Sequence, residues 1–462
     1  MKRIIIWQLF LIAALNLSAQ DNRTRLDLDV DVSAVSGKID LTKYSLGQGG
    51  MSPHPMIDAQ IPQLQILHPR TVRFFIQEYF HLYPARGEYN WKTLDKTLDA
   101  IVATGGRPIP NIAFKPALLF PKVDQTIVHP SSYPEWEKLV YELVKHCRKK
   151  GYGIEYWEIS NEGDIGEGGG CPYLFTPKDY NIYYKHTTDA IRRADPKAKV
   201  GGPALADPHS IIGDSLLEYC AGGNAPLDFF SFHAYNNNPE VFRNIIRYEN
   251  DKLRKYPQLQ HTETMLTEWN MDVFNPNVNP WFQPAFILEM TKIFEDEGLS
   301  ASAYYEIRDY YLDPADFTFL SKKHLGLFAD LFDIMPSLGL FDNQGRVRPS
   351  YFVFLCLSRQ KGEKLEVKGT NADVKSFTTK SEEGINSIFW NFPSNNKTNS
   401  YECSITYHGL KQTGYNIMRI NPESALHEIE TVHAGSTGEL KNGTVTITLD
   451  PYEIKWIKFS DW

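Results

Sequence analysis

Cysteine is scarce: 462 residues hold five, at 147, 171, 220, 356 and 403, with no CxxC spacing. That excludes a disulfide scaffold or a thiolate metal cluster, and the odd number leaves at least one thiol unpaired. Cys147 and Cys356 fall on apolar helical faces, where a small buried side chain is the expectation. Positive charge is in deficit too. Against 56 Asp and Glu the chain sets 48 Lys and Arg, and the net charge of −8 argues against nucleic acid or an anionic membrane as partner. Signature loops are also missing: no GxGxxG follows the first strand, no GxxxxGK[ST] occurs, the HEIETVH string is not HExxH, and GSTGE lacks the spacing of a nucleophile elbow. Neither a metal nor an organic cofactor is therefore expected.

Long apolar runs are nearly absent. Ile4 to Leu15 is too short to span a bilayer, but Lys2 and Arg3 precede it and Leu17-Ser18-Ala19 follow, the layout of a secretory leader over residues 1–19. Its removal would take the net charge from −8 to −10. No Cys follows the run to carry a lipid, so the expectation is a soluble exported protein, periplasmic or extracellular, without a membrane anchor. Aromatic residues, by contrast, are plentiful. With 9 Trp, 25 Tyr and 26 Phe they make up 13% of the chain, which suits sugar-stacking platforms or aromatic-rich packing equally well.

From residue 44 to 362 short apolar runs alternate with helical patterns. The runs read as eight strands: Tyr44 to Leu46, Thr71 to Ile76, Arg107 to Ala113, Glu155 to Ser160, Lys199 to Ala204, Asp228 to Tyr235, Met265 to Trp269 and Ala301 to Ile307. Between them, Trp91, Leu94, Leu98, Ile101 and Val102 recur at helical spacing, as do Leu139, Val140, Leu143, Val144 and Cys147. Eight such units predict an α/β fold, a (β/α)8 barrel, with a doubly wound open sheet as the competitor. Residues 363–462 read as strands without helices, the pattern of an accessory β-sandwich, and the alternating stretch Leu26 to Val35 within residues 20–43 suits an added strand of that sandwich.

Two predicted strands end in a carboxylate beside an amide: IEYWEISNEGD ends on Asn161-Glu162, and MLTEWNMD holds Glu268 with Trp269 and Asn270, both of which are expected to line the substrate site. Because the C-terminal strand ends of a barrel converge on one mouth, Glu162 and Glu268 can face each other. Paired carboxyls are the apparatus of glycoside hydrolysis, one giving a proton and the other acting as nucleophile or base. A single strand-end Glu is an ordinary exposed acid, whereas two on the fourth and seventh of eight strands are much less ordinary.

The strings WEISNEG and LTEWN resemble the paired signatures of the clan A retaining glycoside hydrolases. VRFFIQEYF, KVGGPALA, DFFSFHAY and GLFDNQGRVRPSYFVF add a likeness to glycoside hydrolase family 39, the family of β-xylosidases and α-iduronidases. The resemblance implies Glu162 as general acid/base, Glu268 as nucleophile, and Asn161 as the partner of the substrate 2-hydroxyl. It further implies Arg73 as the cation orienting the nucleophile, and His233 with Tyr235 as lining of the sugar pocket. Tyr305 stands where many clan members have a Trp. Gln77, Glu78, Glu306, Arg308 and Asp309 add polar groups near the mouth that would either bind sugar hydroxyls or pair among themselves. The chain departs from the family's pattern at Ser160 and Gly163, where a Trp and a Pro are usual, and the loop continues as DIGEGGGCPY. The implied partner is a carbohydrate, cleaved by double displacement with the carboxyls about 5–5.5 Å apart. An inactive sugar-binding barrel and a clan A endo-glycanase of another family are the alternatives.

Overall fold

The computed structural model describes residues 23–49, 57–310, 314–326, 338–394, 398–411, 414–420, 435–440 and 443–459, and the leader assigned to residues 1–19 lies outside them. Eight parallel strands close into a barrel: β2 (Tyr44–Gln48), β3 (Thr71–Ile76), β4 (Arg107–Ile112), β5 (Tyr156–Ile159), β6 (Lys199–Leu205), β7 (Phe229–Tyr235), β8 (Glu263–Asn270) and β9 (Ala301–Tyr305). The preceding strand, β1 (Thr24–Asp40), lies outside this ring. Closure is made by the β2–β9 pairing, from Tyr44 opposite Ser302 to Gly47 opposite Tyr305. The open-sheet alternative is thereby excluded.

Helices cover the barrel for legible reasons. The helix Tyr133–Lys150 starts at Ser132, whose side chain accepts the N–H of Glu135. It ends with Arg148, Lys149 and Lys150 at its negative pole, and Gly151 follows at φ 76°. Leu139, Val140, Leu143, Val144 and Cys147 are all buried on one face, each apolar side chain contributing about 1.5–3 kcal/mol of burial. In the helix Lys92–Ala103, Leu94, Leu98 and Ile101 are sealed, but Val102 is 41% exposed. Helical spacing alone placed Val102 on the buried face, and it lies on that stripe's edge. No described helix is long and apolar enough to cross a membrane.

Inside the barrel, side chains alternate by strand parity. Ile109, Phe229 and Met265 plug the lower end, with Tyr156 and Ala301 against them. Two residues further along, the same lumen face carries Asn111, Glu158 and Ser231, so the floor is apolar and the layer beneath the mouth is polar.

The C-terminal strands β10 (Lys361–Lys368), β11 (Val374–Ser381), β12 (Gly384–Asn391), β13 (Tyr401–His408), β14 (Gly414–Ile420), β15 (Gly435–Glu439), β16 (Thr444–Leu449) and β17 (Ile454–Phe459) join one sheet with β1. Residues 24–31 of β1 pair with β13 and residues 29–40 with β10, with register shifts between Val30 and Gly37. The sheet turns over itself there. Tyr407 of β13 meets Phe459 of β17 ring to ring at 4.6 Å, although the two strands are not neighbours. The two faces of the sandwich are thus one folded sheet. On the barrel side, Glu289 of the helix Phe282–Asp296 accepts from Lys375 and Trp390 of the sheet at 2.5 and 3.1 Å.

Candidate active site

Arg73, pointing inward from β3, organises the mouth. Its Nε donates to Glu158 at 2.6 Å, Nη1 to Glu268 at 2.7 Å and Nη2 to Asn161 at 2.8 Å. Three acceptors on one planar fork fix the guanidinium completely, a role for which a lysine is not equivalent. Asn111 donates to Glu158 Oε2 at 2.8 Å, completing a polar layer below the mouth. Burial works against the charge on Glu158, but Arg73, His233 and the hydrogen bonds from Asn111 and Ser231 together outweigh it and hold that carboxyl below its ordinary range.

Glu268 reaches this layer through a local irregularity. Phe232 of β7 pairs with Leu266 and His233 with Glu268, so Thr267 is an extra residue in β8. Met265 faces the lumen, and strict alternation would point Thr267 and Trp269 inward as well. The bulge reverses parity, turning Glu268 in and Trp269 out. Trp269 consequently packs on Phe286 and Phe294 of the helical layer and donates to Ser302 Oγ at 3.1 Å. The expectation that Trp269 lines the sugar site is thus corrected. Asn270, in contrast, is committed to backbone: it donates to the carbonyls of Tyr305 and Leu338 at 2.5 and 3.3 Å and is fully buried. It can position the β9 end but has no donor to spare for a ligand.

Glu162 stands opposite. Ser160 and Glu162 take φ of 66° and 47°, and the Glu162 N–H donates at 2.9 Å to Ala204 O, itself at φ 54°. Three non-glycine residues in the left-handed region, two just after β5 and one in β6, are a concentration of backbone strain of the kind that collects at functional sites. His233 Nδ1 lies 2.8 Å from Glu162 Oε1 and 3.8 Å from Glu268 Oε2. Tyr235 Oη donates to Glu268 Oε2 at 2.6 Å. One oxygen from each of Glu162 and Glu268 and one His233 nitrogen all lie within 4.8 Å of one another.

Those three residues are also the described group whose spacing could take a cation. Glu268, however, already receives a guanidinium on one oxygen and a phenol on the other, which leaves little negative charge for an ion. Burial raises both facing carboxyls above the ordinary range. At Glu162 His233 opposes burial while the charge of Glu268 adds to it, and at Glu268 Arg73 and Tyr235 oppose burial. Burial also lowers the His233 imidazole and prevails over the opposing hydrogen bond and charge of Glu162, which favours a neutral ring beside that carboxyl. The guanidinium of Arg73 touches Glu268 but not Glu162, an asymmetry that favours the anion on Glu268 and the proton on Glu162.

The remaining mouth residues divide. Tyr305 sets its ring edge-on to Tyr235 at 6.5 Å and shares a 3.0 Å hydroxyl contact with Tyr310. Glu306 accepts from Gln48 at 3.1 Å, and burial together with Asp309 raises its carboxyl far above the usual range. Gln77 donates to the Gly170 carbonyl at 3.2 Å, so it braces the glycine-rich loop. Glu78 is half-buried, and burial lifts its carboxyl to about 7. Arg308 is taken up by Gln60 and the Asn343 carbonyl at 3.4 and 2.8 Å, and Arg348 pairs with Asp309. Glu158, Asn111, Gln48 and Gly169 complete the site without having been singled out. The signal for Glu158 was present, a charged residue between apolar Trp157 and Ile159 in a strand whose other face had to be lumen.

A closed parallel barrel whose C-terminal mouth holds two facing buried carboxyls, one of them gripped by an arginine, defines a class of carboxylate-pair barrel proteins. Within that class the chain belongs to the glycosyl hydrolases family 39, whose model matches residues 80–410. It is 25% identical over 305 residues to a β-xylosidase of Caldicellulosiruptor saccharolyticus, a match covering 61% of this chain and 58% of that relative. The chain thus spans less than two thirds of that relative's length. Among solved structures, the fold is similar to a monomeric β-xylosidase from Caulobacter crescentus, with a TM-score of 0.72 at 18% identity over 95% of this chain and 99% of the other. It is similar also to the GH39 enzyme from Xanthomonas axonopodis pv. citri, with a TM-score of 0.73 at 15% identity over 95% and 98%.

Proposed function

We propose that the protein is an exported retaining glycoside hydrolase, β-xylosidase-like, acting on a neutral sugar. The observation that carries the mechanism is the pair Glu162 and Glu268, with carboxylate oxygens within 4.8 Å and a cation on only one of them. An inverting pair would leave room for a water, at about 6.5–9.5 Å between carboxyls. Glu268, kept anionic by Arg73 and Tyr235, attacks the anomeric carbon. Glu162 gives its proton to the leaving oxygen, and the C–O bond breaks as the glycosyl–Glu268 ester forms. Glu162, now a carboxylate beside neutral His233, takes a proton from water, which attacks the same carbon and releases Glu268 with net retention. Asn161, held by Arg73 on its oxygen, keeps its amide N–H₂ for a sugar hydroxyl, with only a 3.4 Å contact to the Gly169 carbonyl in competition.

A neutral sugar is favoured because Arg73, Arg308 and Arg348 at the mouth are each committed to protein acceptors, whereas a uronate needs a cation of its own. The β-xylosidase relative supports a pentose. Export is supported by the charged and apolar segments of residues 1–19. Turnover of an aryl β-xyloside, with the product anomer followed by NMR, tests the reading. Retention in the wild type, and loss of turnover by a factor of at least about a thousand in both Glu162→Ala and Glu268→Ala, are expected on the unactivated phenyl xyloside. An inverted product would rule out double displacement.

A further inference from the structure

The loop after Glu162, residues 163–171, is where this chain departs from its family's pattern, and a buried carboxylate ties it to the far side of the mouth. Glu167 is 2% exposed, within the turn Gly166–Gly169. Its Oε1 accepts the Ser321 N–H at 3.0 Å. Its Oε2 accepts the Ser321 hydroxyl at 2.5 Å and lies 2.7 Å from His324 Nδ1. Ser321 and His324 come from the segment after β9, across the mouth from β5. On its other flank the loop is held by Gln125, whose Oε1 accepts the Glu167 N–H at 2.8 Å, and by Gln77 on the Gly170 carbonyl. Burying a carboxylate is costly unless its lone pairs are satisfied, and here one short segment satisfies them with three contacts.

What the loop touches is Glu162. A Cβ on Gly169 would lie 1.9 Å from Glu162 Oε2 and 2.7 Å from its Cβ, so the loop backbone forms one wall of the cavity in which that carboxyl sits. We infer that Glu167 is a positioning residue for the proton-transfer step: its latch to Ser321 and His324 presses the loop onto Glu162, sealing that carboxyl from water and fixing its rotamer. The inference rests on the proposed role of Glu162 as the acid. A latch that only stabilised the loop would affect all substrates alike. One that positions the acid matters in proportion to how much the leaving group needs a proton.

The test uses Glu167→Gln, which keeps the shape but loses the charge, and His324→Ala, at a partly exposed position that leaves the buried carboxylate with Ser321. On aryl β-xylosides, kcat/KM reports the first chemical step. In Glu167→Gln it should fall roughly tenfold or more for the phenyl glycoside and less than about twofold for the dinitrophenyl one, with a smaller graded effect in His324→Ala. Equal losses across the leaving groups, or no loss in either variant, would overturn the inference. Carboxyl-carbon NMR of Glu162 provides a readout independent of turnover. Opening the loop to water should bring its pKa down toward the ordinary value in Glu167→Gln, and an unmoved titration would count against the latch. Inactivity of the wild type on every glycoside would overturn the proposed function, while the NMR result would still decide whether Glu167 positions Glu162.

Discussion

Arg73 Nη1 donates to Glu268 Oε1 at 2.7 Å, with both side chains nearly sealed from solvent. Because the same guanidinium also holds Glu158 and Asn161, removing it strands two buried carboxylates at once. Arg73→Ala should therefore destabilise the fold by about 3–5 kcal/mol, the cost of breaking a buried pair from one side. Arg73→Lys keeps the charge but cannot make three divergent contacts. It should fold and lose roughly a hundredfold in kcat/KM, with chemical denaturation separating the two effects. A lysine variant with full activity would show that the fork geometry is dispensable.

The pH profile carries a second expectation. The proposed double displacement needs Glu268 ionised and Glu162 protonated, so kcat/KM should be bell-shaped, its acid limb set by Glu268 and its basic limb by Glu162. Tyr235 donates to Glu268 Oε2, which favours the anion. Tyr235→Phe removes that donor, so the Glu268 pKa should rise and the acid limb should move to higher pH. At the optimum the rate should fall roughly tenfold, as for a lost hydrogen bond to a charged group. Movement of the acid limb to lower pH would contradict the assignment.

Barrel and sheet were legible in the sequence because both rest on periodicity. The strand limits expected for Thr71 to Ile76 agree with the observed β3, and Glu162, Glu268, Arg73, His233 and Tyr235 meet at one mouth as their strand ends implied. Trp269 escaped this logic. A period-two pattern gives a strand two faces but cannot reveal where an extra residue switches them, and the bulge at Thr267 does that one position before the carboxylate. Asn270 was misleading for a different reason. An amide near a mouth looks the same in sequence whether it binds sugar or ties down the Tyr305 carbonyl. The Glu167 latch joins segments more than 150 residues apart, and no local signal marks such a pairing.

Glu249, on the helix Pro239–Arg254, gives a stability test remote from the chemistry. It is fully buried, and burial lifts its carboxyl to about 7, although Lys252 Nζ at 3.1 Å opposes this. A carboxyl with a folded pKa above its unfolded value contributes most at low pH, and its contribution is lost as pH rises through the window from the unfolded value to the folded one. Here that window runs from 4.5 to about 7, and the loss amounts to about 3 kcal/mol. Glu249→Gln, which cannot ionise, should therefore gain on the wild type as pH rises through this window and then hold a constant difference. Urea unfolding at several pH values measures it, and a difference that stays flat throughout would mean that Glu249 is not titrating in the folded state.

Gly168 and Gly169 are adjacent glycines in one turn with opposite surroundings, which makes them a matched pair. Nothing lies within 4 Å of a Cβ built on Gly168, whereas one on Gly169 meets Glu162 at three atoms, the nearest at 1.9 Å. Gly168→Ala restricts only the unfolded chain and should leave kcat/KM unchanged while adding about 0.4–1 kcal/mol of stability. Gly169→Ala must displace either Glu162 or the loop, because the overlap reaches the Cβ of Glu162 as well as its flexible end. A misplacement of about 1 Å in a reacting group is worth roughly a hundredfold in rate, and a loss of that size is expected on the phenyl xyloside. The loss should shrink for the dinitrophenyl substrate, which needs no proton, because Arg73 and Tyr235 still hold Glu268. Equal behaviour of the two alanine variants would mean that the loop yields freely, and that close packing over Glu162 has no part in catalysis.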